Sequence, residues 1–143
     1  MEDLPEWDEG TVTILSTIGD EPHAIPVSTA VRAGPRRVLL ALSLRRRSLA
    51  LLRARPRVAL TILAAGDVAV TAHCRASIRE EPMRVSDRVA AIALDVESIQ
   101  DHGQPRFEIH DGVRWRWVDD DAREADAAIR AGLRELARLD TGR

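Results

Sequence analysis

From Val68 to Arg79 the side chains alternate without a break. Val68, Val70, Ala72, Cys74, Ala76 and Ile78 share one face; Thr71, His73, Arg75, Ser77 and Arg79 share the other. A period of two marks a strand with one buried surface. So long a strand cannot stand alone: it needs hydrogen-bonded neighbours on both sides and a core over its apolar face. The same alternation recurs. Residues 11–18 set Val12, Ile14 and Ile18 against Thr11, Thr13 and Thr17. Residues 23–31 set Ile25, Val27 and Val31 against the small residues Ala24, Pro26, Ser28 and Ala30. Further strands are predicted over 37–43, 57–63 and 89–99, separated by Gly-Asp-Glu-Pro, Ala-Gly-Pro and Ala-Gly-Asp turns.

Two segments break the pattern. Residues 44–54 suit a short helix that must stop near Arg55, because Pro56 follows. Residues 122–139 place Ala122, Ala125, Ile129, Leu133 and Leu136 on one helical face, with Asp119, Asp120 and Asp121 ahead of them as caps. Before that helix, 107–109 and 113–117 flank Asp111-Gly112, which predicts a closing hairpin. The fold class that follows is mainly β: an antiparallel barrel of six to eight strands, closed or split, with a short internal helix and a C-terminal helix. A length of 143 residues suits one domain over 1–143.

Composition excludes several chemistries. All 21 basic residues are arginine, so Schiff-base catalysis and a Walker-type phosphate loop are impossible. A single cysteine forms no intramolecular disulfide and no multi-cysteine metal site. His73 and Cys74 are adjacent on a strand and point to opposite faces, which argues against a metal centre built on them. A net charge of −2 and only Phe107, Trp7, Trp115 and Trp117 as aromatics argue against nucleic-acid binding. The acidic, proline-broken opening is no signal peptide, and no apolar run approaches the ~20 residues of a membrane helix. The expectation is a cytoplasmic protein without membrane contact.

One stretch defies its context. Ser43-Leu44-Arg45-Arg46-Arg47-Ser48 puts three cations at the start of a helix, where the macrodipole makes bases unfavourable by roughly 0.3–1 kcal/mol each. A local rule broken this way points to function. Free backbone N–H groups, guanidinium forks and two hydroxyls together describe an anion site, most naturally for phosphate. A solvated basic turn is the alternative reading of the same residues. Trp115 and Trp117, placed on one strand face, suggest a surface buried against a second subunit.

The order of these features resembles a known family. Residues 13–17, followed by Gly19-Asp20-Glu21-Pro22-His23-Ala24-Ile25-Pro26-Val27, look like the opening hairpin of the pyridoxamine 5′-phosphate oxidase-like split-barrel flavoproteins. Residues 43–60, ending Arg55-Pro56-Arg57-Val58-Ala59-Leu60, look like that family's cation-rich helix and the strand after it. The likeness runs on through 68–79 and 89–99. It implies a homodimer with FMN at the subunit interface. It implies phosphate contacts from Ser43, Arg45, Arg46, Arg47 and Ser48, and a flavin ring beside Pro26, Val27 and Ser28. Where the family often has lysine and an Asn-Leu pair, this chain has Ser48 and Leu51-Leu52, so the lysine's role passes to an arginine. The family's oxidase carries a substrate-binding Arg and His near its C-terminus. Here that region is an amphipathic helix, so oxidation of pyridoxamine phosphate is not expected. The function implied is an FMN-dependent oxidoreductase acting on a small molecule. A reductase using the deazaflavin coenzyme and a non-enzymatic flavin or haem module are the alternatives.

Overall fold

The structure, a computed structural model, describes residues 1–141. The strands β1 (Thr13–Ile18), β2 (Pro22–Val27), β3 (Val31–Arg32), β4 (Arg37–Ser43), β5 (Arg57–Ala64), β6 (Val68–Glu80) and β7 (Val89–Asp101) form one sheet of seven strands in the order β2-β1-β5-β6-β7-β4-β3. All its pairings are antiparallel. Helix α1 (Arg47–Ala54) joins β4 to β5, and α2 (Asp120–Thr141) follows β7. One core draws Leu15, Ile25, Leu40, Leu60, Val70 and Ile92 from strands spread across the whole sheet. The sheet is therefore curled around its own side chains as a half-barrel, the mainly β class read from the alternation. Among the described residues no helix is long and apolar enough to cross a membrane.

β6 carries its faces as its sequence predicts. Ala72, Cys74 and Ala76 are buried, while His73, Arg75 and Ser77 are exposed. Register shifts at His73/Cys74 and Ile78/Glu80 add the local twist that lets two strands of such length curl. The β5–β6 turn has positive φ at both Gly66 (83°) and Asp67 (60°), the geometry of a tight hairpin and one that Gly and Asp tolerate.

Three sequence expectations need correction. The apolar set on β1 is reversed: Thr13, Leu15 and Thr17 are buried, and Ile14 and Ile18 face out. Leu15 pairs with Leu60 and Ile25, which fixes the inward register. The threonines tolerate burial because their hydroxyls donate to backbone carbonyls, Thr13 Oγ1 to Val27 at 2.8 Å and Thr17 Oγ1 to His23 at 3.5 Å. Second, 23–31 is not one strand. β2 ends at Val27 on one edge of the sheet and β3 begins at Val31 on the other. Residues 28–30 carry the chain between the edges, with Ala30 in the core and the Thr29 hydroxyl bonded to both the N–H and the C=O of Ala41. Pro22 and Pro26 are placed where proline costs least, on an edge strand.

Third, the hairpin over 107–117 does not form. Its backbone pairs elsewhere: Ile109 accepts from Asp67 N–H at 3.0 Å and donates to the Asp67 carboxylate at 2.9 Å. Residues 102–118 thus run as a strap without helix or strand, passing so close to β5 that a Cβ on Gly112 would stand 3.0 Å from the Leu63 carbonyl. Trp115 and Trp117 do not share a strand face. They meet edge to face, with centroids 4.7 Å apart.

Helix α2 is capped by Asp119, whose carboxylate accepts from Ala122 N–H at 2.8 Å. Its inward ridge is Ile129, Arg130, Leu133, Leu136 and Ala137, whereas Ala125 is exposed. The ridge packs on Leu39, Ala91 and Ala93, the outer face of β4 and β7. At its far end Asp140 accepts from Arg79 at 2.6 Å and from Arg37 at 3.0 Å, while Arg37 also reaches Asp95 at 2.7 Å.

Leu133 is fully buried, so Leu133→Ala is expected to cost roughly 2–4 kcal/mol in denaturant unfolding. Burial works to raise the Asp140 carboxyl pKa, but the hydrogen bonds from Arg79 and Arg37 outweigh it and hold the group below the usual aspartate value. Its stabilising contribution is complete above the unfolded-state value of about 3.9 and is lost as pH falls through the lower folded one. Asp140→Asn should be less stable than the parent at pH 7, and that gap should shrink steadily below about pH 4. Cys74 is buried, and that burial, with Asp95 and Glu97 adding to it, pushes its thiol up to about 12. It should react with a thiol reagent only when the chain unfolds.

Candidate functional site

The basic run sits where β4 gives way to α1. Ser43 shapes the turn: its hydroxyl accepts from Arg45 N–H at 3.3 Å and its carbonyl accepts from Arg46 N–H at 3.0 Å. Arg46 is the N-cap, extended at φ −68° and ψ 132°, and offers no side-chain cap to the first turn. Arg47 opens the helix, and the first turn holds no acid. The donors left free at any helix start therefore receive nothing from the cap side chain. Arg45, Arg46 and Arg47 are all exposed, and among the described residues none pairs with a carboxylate. Arg53, Arg123, Arg130, Arg134 and Arg138, the other basic residues of the helices, are each ion-paired. Among the described residues Arg47 is thus the one helix arginine without a carboxylate, and Arg45 and Arg46 stand directly before it.

The helix beneath them is firmly seated. Ser48, Leu49 and Leu52 are buried. Arg53 pairs with Glu81, and Arg55 donates to the Gly19 carbonyl at 3.1 Å. Ser48 turns inward, its hydroxyl 3.2 Å from His23 Nε2, so this serine bridges α1 to β2 and offers an incoming anion its backbone rather than its hydroxyl. His23 is half-buried in that bridge.

Sequence reasoning missed one part of the site. Ser43, Leu44 and Arg45 line a cleft of about 510 Å³ whose opposite wall is Asp87 and Arg88. Leu44 N–H donates to the Arg88 carbonyl at 2.9 Å, which fixes the two segments side by side. Arg88 lies in an exposed connection before β7, where no periodicity marks it. Arg46 and Arg47 stand outside this cleft.

The residues expected beside a ring lie on β2 and just past it. Val27 is buried in the core, leaving only its backbone for a ligand, and its carbonyl already accepts from Thr13. Pro26 is exposed on the outer face next to Ile14, and Ser28 is half-buried where the chain leaves the edge. Ala24, Pro26, Ile14, Ile18 and Leu63 make that outer surface flat and apolar. The His23–Ser48 bond joins this strand to the basic turn, so the two halves of the expected site belong to adjoining elements. A larger cavity of about 670 Å³ lies elsewhere, between residues 6–11 and 111–115. Glu6, Asp8, Glu9 and Asp111 on its walls would repel a phosphate.

Neither a protein-family model nor a curated protein sequence matches the chain. Solved structures do. A Lactobacillus delbrueckii protein provisionally described as a pyridoxamine 5′-phosphate oxidase superposes with a TM-score of 0.58 at 14% identity, covering 70% of this chain and 95% of that one. The NADH:FAD oxidoreductase SgcE6 of Streptomyces globisporus gives 0.53 at 15%, covering 78% and 87%. An F420 reductase gives 0.55 at 11%, covering 68% and 98%. At such identities the likeness is one of fold alone: the chain has a split-barrel architecture similar to that of these solved structures.

Proposed function

We propose that the chain is an FMN-dependent oxidoreductase acting on a small molecule. The observation that carries this reading is the cluster of unpaired Arg45, Arg46 and Arg47 at an uncapped helix start, in a fold shared with flavin reductases. FMN supplies the redox chemistry when bound. The chain's part is to hold and orient it. The arginines and the first-turn N–H groups take the phosphate through charge-assisted hydrogen bonds, each worth roughly 1.5–3 kcal/mol. The small-residue outer face of β2, from Ala24 to Pro26 and on to Ser28, takes the flat ring. No side chain needs to act as acid or base in this reading.

The deazaflavin coenzyme is the second reading. The cleft between Arg45 and Arg88 extends the basic surface beyond what one phosphate requires, and a longer anionic tail would use it.

A second copy of the chain completes the proposal. Ile14, Ile18 and Leu63 are 36%, 46% and 47% exposed on the same outer face as Pro26, an apolar surface suited to self-association. This replaces the tryptophan pair as the motive for a dimer, because Trp115 is engaged within the chain through its Nε1 bond to the Gly10 carbonyl at 2.9 Å.

Two measurements test these statements. FMN titrated into the purified protein should show saturable fluorescence quenching. Replacing Arg46 and Arg47 together by alanine should weaken it at least a hundredfold with an unchanged circular dichroism spectrum. Equal affinity in the folded double variant would reduce the basic run to a solvated turn. Saturation by the deazaflavin coenzyme at far lower concentration than FMN would select the second reading. Light scattering should give about twice the chain mass of 15.8 kDa, and Ile18→Glu should return a folded monomer. A parent protein that is monomeric at micromolar concentration would remove the dimer.

A further inference from the structure

Arg130 lies on the inward ridge of α2 and is only 7% exposed. Its Nε donates to Asp126 one turn earlier. Among the described residues, Nη1 and Nη2 are buried and have no hydrogen-bond partner. A guanidinium stays charged at any physiological pH and carries four of its five N–H donors on those two nitrogens. Burying them unmet is among the more costly arrangements open to a side chain. The other arginines nearby have carboxylates of their own, Arg134 with Glu9 and Arg123 with Asp120. Arg130 has Asp126, but among the described residues it is the one side chain with buried donors left over.

Beside this covered guanidinium lies an open groove. A space of about 360 Å³ opens between α2 and the strap, with Trp115, Trp117, Arg123, Asp126, Arg130 and Arg134 on its walls. The Trp115 ring covers the guanidinium, its centroid 5.7 Å from the Arg130 Cζ, and Trp117 stands edge-on to Trp115. The walls therefore offer two indole surfaces and one flat fork of unsatisfied donors.

We propose that this cavity binds a small aromatic carboxylate, its two oxygens taking the two Nη groups of Arg130 side by side and its ring lying among Trp115 and Trp117. A planar fork matches two coplanar oxygens better than a tetrahedral anion. Asp126 already answers the charge of Arg130, and Arg123 and Arg134 have carboxylates of their own, so the site has room for one negative charge at most. Indole walls favour a flat, apolar body. Because the Nη atoms are covered, entry requires the Trp115–Trp117 segment to shift, and that segment belongs to the strap, which has no helix or strand to hold it. The site uses none of the residues assigned to FMN and does not rest on that assignment.

The test uses benzoate as probe, with acetate as the carboxylate without a ring and benzyl alcohol as the ring without a charge. Tryptophan emission excited at the red edge reports directly, since two of the three tryptophans form the walls. Benzoate should produce a saturable change and bind at least tenfold more tightly than either control. Arg130→Met and Arg130→Lys should each weaken benzoate at least tenfold. The lysine variant keeps the charge but loses the fork, and it carries the test if the methionine variant does not fold. FMN affinity should be the same in Arg130→Lys as in the parent, so failure of the flavin reading and failure of this one separate cleanly. No saturable response in the parent protein would overturn the proposal, as would equal benzoate affinity in folded Arg130→Lys. Acetate binding as tightly as benzoate would overturn the aromatic assignment.

Discussion

Strand β7 is buried on both faces, and the arrangement of the molecule follows from how it manages this. Ala90, Ile92, Leu94 and Val96 point into the barrel, while Ala91 and Ala93 point outward beneath α2. Large side chains fill the concave core and small ones let a helix approach the convex face closely. That docking sets the stance of α2, and with it the position of Arg130, the anchoring of Asp140 between Arg37 and Arg79, and the path of the strap that must reach the start of the helix. Farther along the same convex surface Ile14, Ile18 and Leu63 stay exposed, so that surface is helix-covered at β4 and β7 and open at β1.

Much of this was legible because it is periodic. The facing of β6, the end of α1 before Pro56 and the existence of α2 all follow from patterns that local sterics and burial enforce. The basic run was legible for the opposite reason, since it violates a local electrostatic preference. What was missed depends on partners far away in sequence. β1 has isoleucines on one face and threonines with Leu15 on the other, so hydropathy alone chooses wrongly. The register with Leu60 and the carbonyls that receive the threonine hydroxyls decide it. The Asp111-Gly112 signal was outweighed because Asp67, from another turn, took the hydrogen bonds a hairpin would have used. Arg88 and the burial of Arg130 carried no signal, because a charged residue on a helix or loop is ordinarily solvated.

The chain's exclusive use of arginine makes pairing, not residue type, the informative property. On α2 the arginines answer carboxylates within a turn or reach across to Glu9. Arg37 and Arg79 are spent on anchoring the helix end. Against that background residues 45–47 and Arg130 differ in kind. Residues 45–47 are cations in water without acids, positioned to attract an anion over a distance. Arg130 is a cation out of water with four of its five donors unmet.

The place of α2 after all the barrel strands also has a consequence for how the protein is made. Synthesis runs from the N-terminus, and the barrel strands are complete once residue 101 emerges. The alanine face of β7, together with Leu39, then waits uncovered until the strap and the helix have also left the ribosome. During that interval the nascent chain exposes apolar surface at two places on the outside of its sheet, over β1 and over β7. Slow translation across residues 102–141 would lengthen the period in which two such chains on one message could stick to each other, and fast translation would shorten it.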